Sequence, residues 1–200
     1  MPKFKSAACI IFIKNAEKGK VNTRLASTLG DDKALQIYKA LLDHTRRMTL
    51  SIPVERLLYY SSFINLDDDW QEVNFHKYLQ EGSSLGERMA NAFEKAFKAF
   101  QQVIIVGSDC PKLSEKILTE AFSAMRDHPY VIGPAKDGGY YLLGMNRFTP
   151  SLFENIEWST DKVLPDTIKA IEKTGGSYHL LPELSDVDYE ADWREHGWKL

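Results

Sequence analysis

Only two cysteines occur among the 200 residues, Cys9 and Cys110, and they lie far apart. Two such residues build no disulfide framework, so a chain of this length must rest on its hydrophobic core, and a reducing, cytoplasmic setting is expected. Long hydrophobic runs are also missing. Ala7 to Ile13, the longest early one, is far shorter than the roughly 20 residues that cross a bilayer, and Lys14, Lys18 and Lys20 follow it where a cleavable leader would carry small residues. Neither a signal peptide nor a membrane partner is expected. An excess of charge of one sign is absent as well: the formal net charge of -3 gives no general attraction to nucleic acid, and the five histidines show no metal-ligand spacing. There is no internal repeat, low-complexity tract or linker, which leaves residues 1–200 as one domain.

What is present alternates. Ala7 to Ile13, Val54 to Tyr60, Val103 to Val106, Tyr130 to Ile132 and Tyr140 to Met145 are apolar runs that read as buried strands. Between them, Asp31 to Leu50 sets Leu35, Tyr38, Leu41, Leu42 and Thr45 on one face, and Leu85 to Phe100 does the same with Met89, Phe93, Ala96, Phe97 and Phe100. Weaker helical patterns cover Glu115 to Arg126 and Thr160 to Lys173, where Pro165 blurs the start. Strand and helix in alternation imply an α/β fold, a mixed, mostly parallel sheet covered on both faces.

Five segments carry residues suited to chemistry. In Val103 to Pro111 a buried strand stops at Gly107-Ser108-Asp109, and in open α/β sheets ligands bind beyond the strand ends, where a carboxylate can hold a divalent ion against a phosphate; helix or turn capping by Asp109 is the competing reading. The loop Lys14 to Leu25 gathers four cations and one glycine without a Walker pattern, so Lys14, Lys20 and Arg24 are candidate phosphate contacts, against the alternative of a solvated basic loop. Gly82 to Arg88 opens a helix with a glycine inside it. That reads either as a nucleotide or sugar contact through Gly82 and Arg88, or as an ordinary cap. Gly133 to Met145 joins two strands through Asp137-Gly138-Gly139-Tyr140; beyond a hairpin turn, this offers Asp137 as a base and Gly138, Gly139 and Tyr140 as acceptor contacts. Finally, Asp186 and Asp188 are two apart in an extended segment and share a face, as metal ligands or as the cap of a following helix. The run Asp67-Asp68-Asp69 reads as solvated surface or a helix start, and Trp70, Trp193 and Trp198 as possible interface residues.

In this order, Lys20 to Leu25, Leu85-Gly86-Glu87-Arg88-Met89, Gly107-Ser108-Asp109-Cys110-Pro111, Asp137-Gly138-Gly139-Tyr140-Tyr141, Trp158-Ser159-Thr160 and Asp186-Val187-Asp188 resemble a bacterial family of glycosyltransferase-A-like proteins, nucleotide-diphospho-sugar transferase-like in type. The resemblance runs from about Ala8 to about Trp193. The ending Asp186 to Asp192 is also similar to the tail of small nucleotidyltransferases of molybdenum-cofactor and coenzyme F420 synthesis. These likenesses imply a three-layer αβα, Rossmann-like sheet with a nucleotide over its amino-terminal half, and Mg²⁺ or Mn²⁺ held by Asp109 with Asp186 or Asp188. They leave three functions open: a metal-dependent transferase taking a nucleotide sugar to a small-molecule acceptor, a nucleotidyltransferase releasing pyrophosphate from a nucleoside triphosphate, or an idle nucleotide-binding scaffold. The usual Asp-x-Asp of glycosyltransferases is reduced here to Ser108-Asp109-Cys110, and the glycine-rich first loop of sugar nucleotidyltransferases is replaced by Lys14 to Arg24.

Overall fold

A computed structural model of the protein describes residues 7–200. Its centre is a seven-stranded sheet built from β1 (Ala7–Ile13), β2 (Glu55–Tyr60), β3 (His76–Leu79), β4 (Gln102–Val106), β5 (Tyr130–Pro134), β6 (Tyr140–Met145) and β7 (Tyr178–Leu180), in the order β3-β2-β1-β4-β6-β5-β7. Neighbours are parallel except β6, which runs antiparallel to both β4 and β5. The expected α/β architecture with a mixed, mostly parallel sheet is borne out. Strand β1 is buried nearly throughout because it lies inside the sheet with helices over both faces. Its side chains alternate between two cores: Cys9, Ile11 and Ile13 pack with Tyr38 of α2 (Asp31–Leu50), whereas Ala8 and Ile10 pack with Phe93 of α3 (Leu85–Phe97).

The helices follow from capping and amphipathic pattern. Helix α3 starts where the Ser84 hydroxyl accepts the Glu87 N–H at 3.2 Å, and Glu87 returns its carboxylate to the Ser83 N–H at 2.7 Å. Ser114 caps α4 (Glu115–Ala124) through the Ile117 N–H. Helix α5 is Val163–Lys173, which puts Pro165 in the first turn, where its missing N–H costs no helical bond. The expected helices thus hold, but α3, α4 and α5 are shorter than their apolar patterns suggested.

Several short elements had no clear periodic signal. Helix α1 (Thr23–Leu29) converts the end of the basic loop into a helix, and α6 (Glu190–His196) follows the Asp186–Asp188 pair. Strands β3 and β7 are edge strands of four and three residues. In the triple-aspartate run Asp67 and Asp69 are exposed, as a solvated surface requires, but Asp68 is not, and no helix starts there. Asp68 accepts the Tyr60 hydroxyl at 2.6 Å and the Lys77 ammonium at 2.9 Å, and the Lys77 side chain is only 3% exposed. Trp70 is buried against Phe75, and Trp193 and Trp198 pack edge to face over the cluster of Leu25, Ile37 and Leu41. Trp70 is therefore a core residue, and Trp193 and Trp198 are half-buried covers of that cluster. No helix among the described residues is long and apolar enough to cross a membrane.

Candidate functional site

Because β1, β4, β5 and β7 point the same way, their carboxyl ends, and the turn joining β5 to β6, meet along one edge of the sheet. At the end of β4 the chain turns through Gly107 and Ser108 to Asp109. A β-carbon on Gly107 would lie 2.9 Å from Asp109 Oδ1, so the glycine leaves the room into which this carboxylate folds back. Beyond β7, the segment up to Asp188 runs across the same edge: Leu184 N–H donates to Pro134 O and Lys136 N–H to Leu184 O, both at 3.0 Å, and Val187 N–H donates to Asp109 O at 2.9 Å. The last bond ties the Asp186–Asp188 segment to the turn that carries Asp109.

The result is a cluster of carboxylates. Asp109 and Asp186 are recessed, each keeping some open surface but ringed by protein. Burial pushes the Asp109 carboxyl above the ordinary range, aided by the negative charges of Asp188 and Asp137, while its own backbone N–H and Lys14 pull it down. Asp186 is pushed well above that range, by burial first and then by Asp109, Asp137, Asp188 and Asp192. Its Oδ1 is buried without a hydrogen-bond partner. Asp109, Asp137, Asp186 and Asp188, from three separate stretches of sequence, therefore share one electrostatic environment.

Asp137 sits in the turn between β5 and β6, its Oδ1 accepting the Gly139 N–H at 2.9 Å, so one oxygen is fixed while the residue stays exposed. Gly138 has φ +90°, and a β-carbon there would fall 2.5 Å from Asp161 Cα; Leu164 N–H also donates to Gly138 O. The lack of room at Gly138 comes from the packing of Asp161 against the turn. The hydroxyl of Tyr140 does not face the carboxylates. It is buried toward Thr167 on α5, and the Tyr141 hydroxyl donates to Pro182 O at 2.9 Å. The expectation of tyrosine hydroxyls set out for an acceptor is thus corrected: alternation along β6 directs them into the two cores.

The cations are largely engaged within the protein. Arg24 Nη1 donates to Asp188 Oδ2 at 2.7 Å and its guanidinium lies over the Tyr189 ring, while Lys20 pairs with Glu17 at 2.9 Å. Lys14 is exposed at the end of β1, within electrostatic reach of Asp109. Its main chain is held by Tyr38, whose hydroxyl accepts the Lys14 N–H at 2.8 Å, donates to Lys14 O at 3.0 Å and lies 3.3 Å from the Ser108 hydroxyl. Arg88 Nε donates to Gly82 O at 3.0 Å, and Gly82 has φ +135°. The glycine inside α3, Gly86, faces no ligand: a β-carbon would lie 2.4 Å from Trp158 Nε1. Trp158 and Asp161 so join the start of α3 to the turn that bears Asp137.

Sequence reading missed Asn15, which is buried and holds the chain after β2: its Oδ1 accepts the Ser62 N–H at 3.1 Å and its Nδ2 donates to Phe63 O at 2.9 Å. Two asparagine bonds to a segment nearly fifty residues away leave no local trace in sequence. A cavity of about 380 Å³ opens beside these bonds, lined by Lys14, Lys39, Arg46, Tyr60, Phe63 and Asp67 among others, and Lys14 is the lining residue it shares with the carboxylate site. Among the described residues no group of three or more carboxylates, imidazoles or thiols is arranged to enclose a metal ion. Asp109 and Asp186 nevertheless present hard oxygen donors, one of them orphaned. An arrangement of this kind suits an ion that takes one or two carboxylates from the protein and the rest of its shell from phosphate and water.

Comparison with known proteins places these features in context. The model of a family described as uncharacterized protein conserved in bacteria, DUF2064, matches residues 45–160. A candidate nucleotide-diphospho-sugar transferase from Desulfovibrio desulfuricans G20 is 30% identical, with a TM-score of 0.84 over 92% of this chain and 82% of that one. Two more distant structures share the fold alone: 4-diphosphocytidyl-2C-methyl-D-erythritol synthase from Anaerococcus prevotii DSM 20548, 10% identical with a TM-score of 0.62 over 96% of this chain and 97% of that one, and the Rv0371C manganese complex from Mycobacterium tuberculosis H37Rv, 14% identical with a TM-score of 0.52 over the same shares. No curated protein matches the chain.

Proposed function

We propose, proceeding from the fact that this chain belongs to the DUF2064 family of bacterial proteins, that it is a glycosyltransferase using a nucleotide-diphospho-sugar donor and a divalent cation. The coarser statement, a transferase that uses a nucleotide, rests on its likeness to the Desulfovibrio protein. The sugar donor is likewise supported by that likeness, and the observation that carries the cation is the recessed pair Asp109 and Asp186, with Asp186 Oδ1 buried and unpartnered. Mutually repelling carboxylates in a recess destabilise the empty protein, which makes sense if a cation relieves them.

Asp109, with Asp186 or Asp188, would hold Mg²⁺ or Mn²⁺, which when bound supplies positive charge beside the leaving diphosphate. Lys14 and Arg24 face the donor's phosphates, with Lys20 behind them and Gly82 and Arg88 at the start of α3 along the same sheet edge. The acceptor lies by the turn between β5 and β6, against the backbone of Gly138 and Gly139. Asp137, one oxygen held by Gly139 N–H, takes the acceptor's hydroxyl proton on its other oxygen. The acceptor oxygen bonds to the anomeric carbon as the bond from that carbon to the diphosphate breaks, and the nucleoside diphosphate departs with the electron pair.

A panel of nucleotide sugars and nucleoside triphosphates, each with Mn²⁺, Mg²⁺ or chelator, tests this by thermal shift and product analysis. Metal-dependent stabilisation by a nucleotide sugar, and its turnover to a nucleoside diphosphate, is the expected outcome, with both lost in Asp109→Asn. Pyrophosphate release from a triphosphate would replace this reading with nucleotidyl transfer. Stabilisation by a nucleotide with no turnover would point to an idle scaffold, and failure of the whole panel to stabilise the protein would count against nucleotide use altogether.

A further inference from the structure

Arg24 and Asp188 were each suited by sequence to a different ligand, an anion for one and a cation for the other, yet they are bound to each other across 164 positions of chain. The pair is open to solvent, with side-chain exposures of 61% and 47%. Ion pairs as exposed as this are weak and easily exchanged. The two partners differ in freedom. Asp188 is fixed through its main chain: Asp192 Oδ2 accepts the Asp188 and Tyr189 N–H groups at 3.1 and 2.7 Å, and Val187 N–H is bound to Asp109 O. Arg24 is an exposed side chain on α1, a helix of seven residues, and Nη1 alone of its nitrogens bonds Asp188, leaving its other donors for an incoming group.

We infer that Arg24 is a positioning residue that makes cation and diphosphate binding depend on each other: in the empty cleft it occupies Asp188 and opposes cation entry, and a diphosphate draws it away. This rests on the transferase reading above. A guanidinium bonds two phosphate oxygens in a fork, whereas here it holds one carboxylate oxygen. Transfer of Arg24 to the diphosphate therefore gains a hydrogen bond while it frees Asp188 to face the cation. By linkage the effect is reciprocal, so a cation near Asp188 also releases Arg24.

Two single-ligand titrations on the full chain, with Mn²⁺ alone and with inorganic pyrophosphate in chelator, separate this from simple electrostatics. Arg24→Ala is expected to tighten Mn²⁺ about two- to fivefold, the range an exposed ion pair supplies, and to weaken pyrophosphate by at least about tenfold. A role for Arg24 in structure alone would not tighten anything. Asp188→Asn is expected to tighten pyrophosphate by a similar two- to fivefold when Arg24 is present and much less in the Arg24→Ala background, with Asp137→Asn as the control for removal of a nearby charge that Arg24 does not touch. An equal gain with and without Arg24, or Mn²⁺ affinity unchanged in Arg24→Ala, would overturn the inference. If Asp109→Asn leaves Mn²⁺ affinity unchanged, the cation reading of the cleft fails instead, and the pyrophosphate cycle still judges the Arg24–Asp188 exchange. No marked loss of melting temperature in any variant without ligand confirms that α1 is intact.

Discussion

Replacing Asp186 with asparagine should make the empty protein more stable, against the usual expectation for a recessed polar residue. The side chain is recessed, its Oδ1 has no partner, and four other carboxylates raise its proton affinity. A buried polar atom without a partner costs about 1–3 kcal/mol. Asparagine removes the charge repulsion, so a gain of about 1–3 kcal/mol is expected at pH 8 in chelator. For a chain of this size that is a rise of roughly 3 to 10 °C in melting temperature. The pH dependence supplies the sign. A carboxyl whose folded pKa lies above its unfolded value binds more protons folded than unfolded between the two, so stability falls as pH rises from the ordinary 3.8 through the raised value. The advantage of Asp186→Asn must then be largest at neutral to alkaline pH and vanish near pH 4, where the parent residue is protonated. Urea titrations from pH 4 to 8, with and without Mn²⁺, measure this directly. A variant that is less stable than the parent at pH 8 in chelator, or whose advantage grows as pH falls, would refute the argument.

Two further perturbations examine the scaffold. Lys77→Met strands Asp68, the partner of a nearly buried ammonium, and should cost about 3–5 kcal/mol in urea unfolding, with Lys77→Met/Asp68→Asn recovering part of it. Gly86→Ala should destabilise by about 1–2 kcal/mol despite the better helix propensity of alanine, since its methyl would overlap Trp158, and the near-ultraviolet circular dichroism should change with it; an unchanged or more stable variant would mean that Trp158 yields freely.

The strands and long helices were legible because their signals are local. Apolar runs of β1, β4 and β6 and the one-sided pattern of α2 each lie within a single stretch of chain. Short edge strands such as β3 and β7 were not, since their pairing comes from a neighbouring strand rather than from their own residues. The half-buried Asp68 shows the same limit: it looks as solvated as Asp67 and Asp69 until Tyr60 and Lys77 arrive from other strands.

The chemical inventory of the candidate site, with Asp109 after an apolar strand, the Asp137 turn, the Asp186–Asp188 pair and the basic first loop, was set by residue type and spacing, because a strand end followed by small residues and a carboxylate is a local pattern. Tertiary structure alone decided how these groups relate. It gathered four aspartates from three segments into one field, drew Arg24 onto Asp188, buried the Tyr140 hydroxyl and gave Gly86 to Trp158. Charge, burial and hydrogen bonding act over a few ångströms through space, and sequence spacing records such distances only where the chain itself is the ruler.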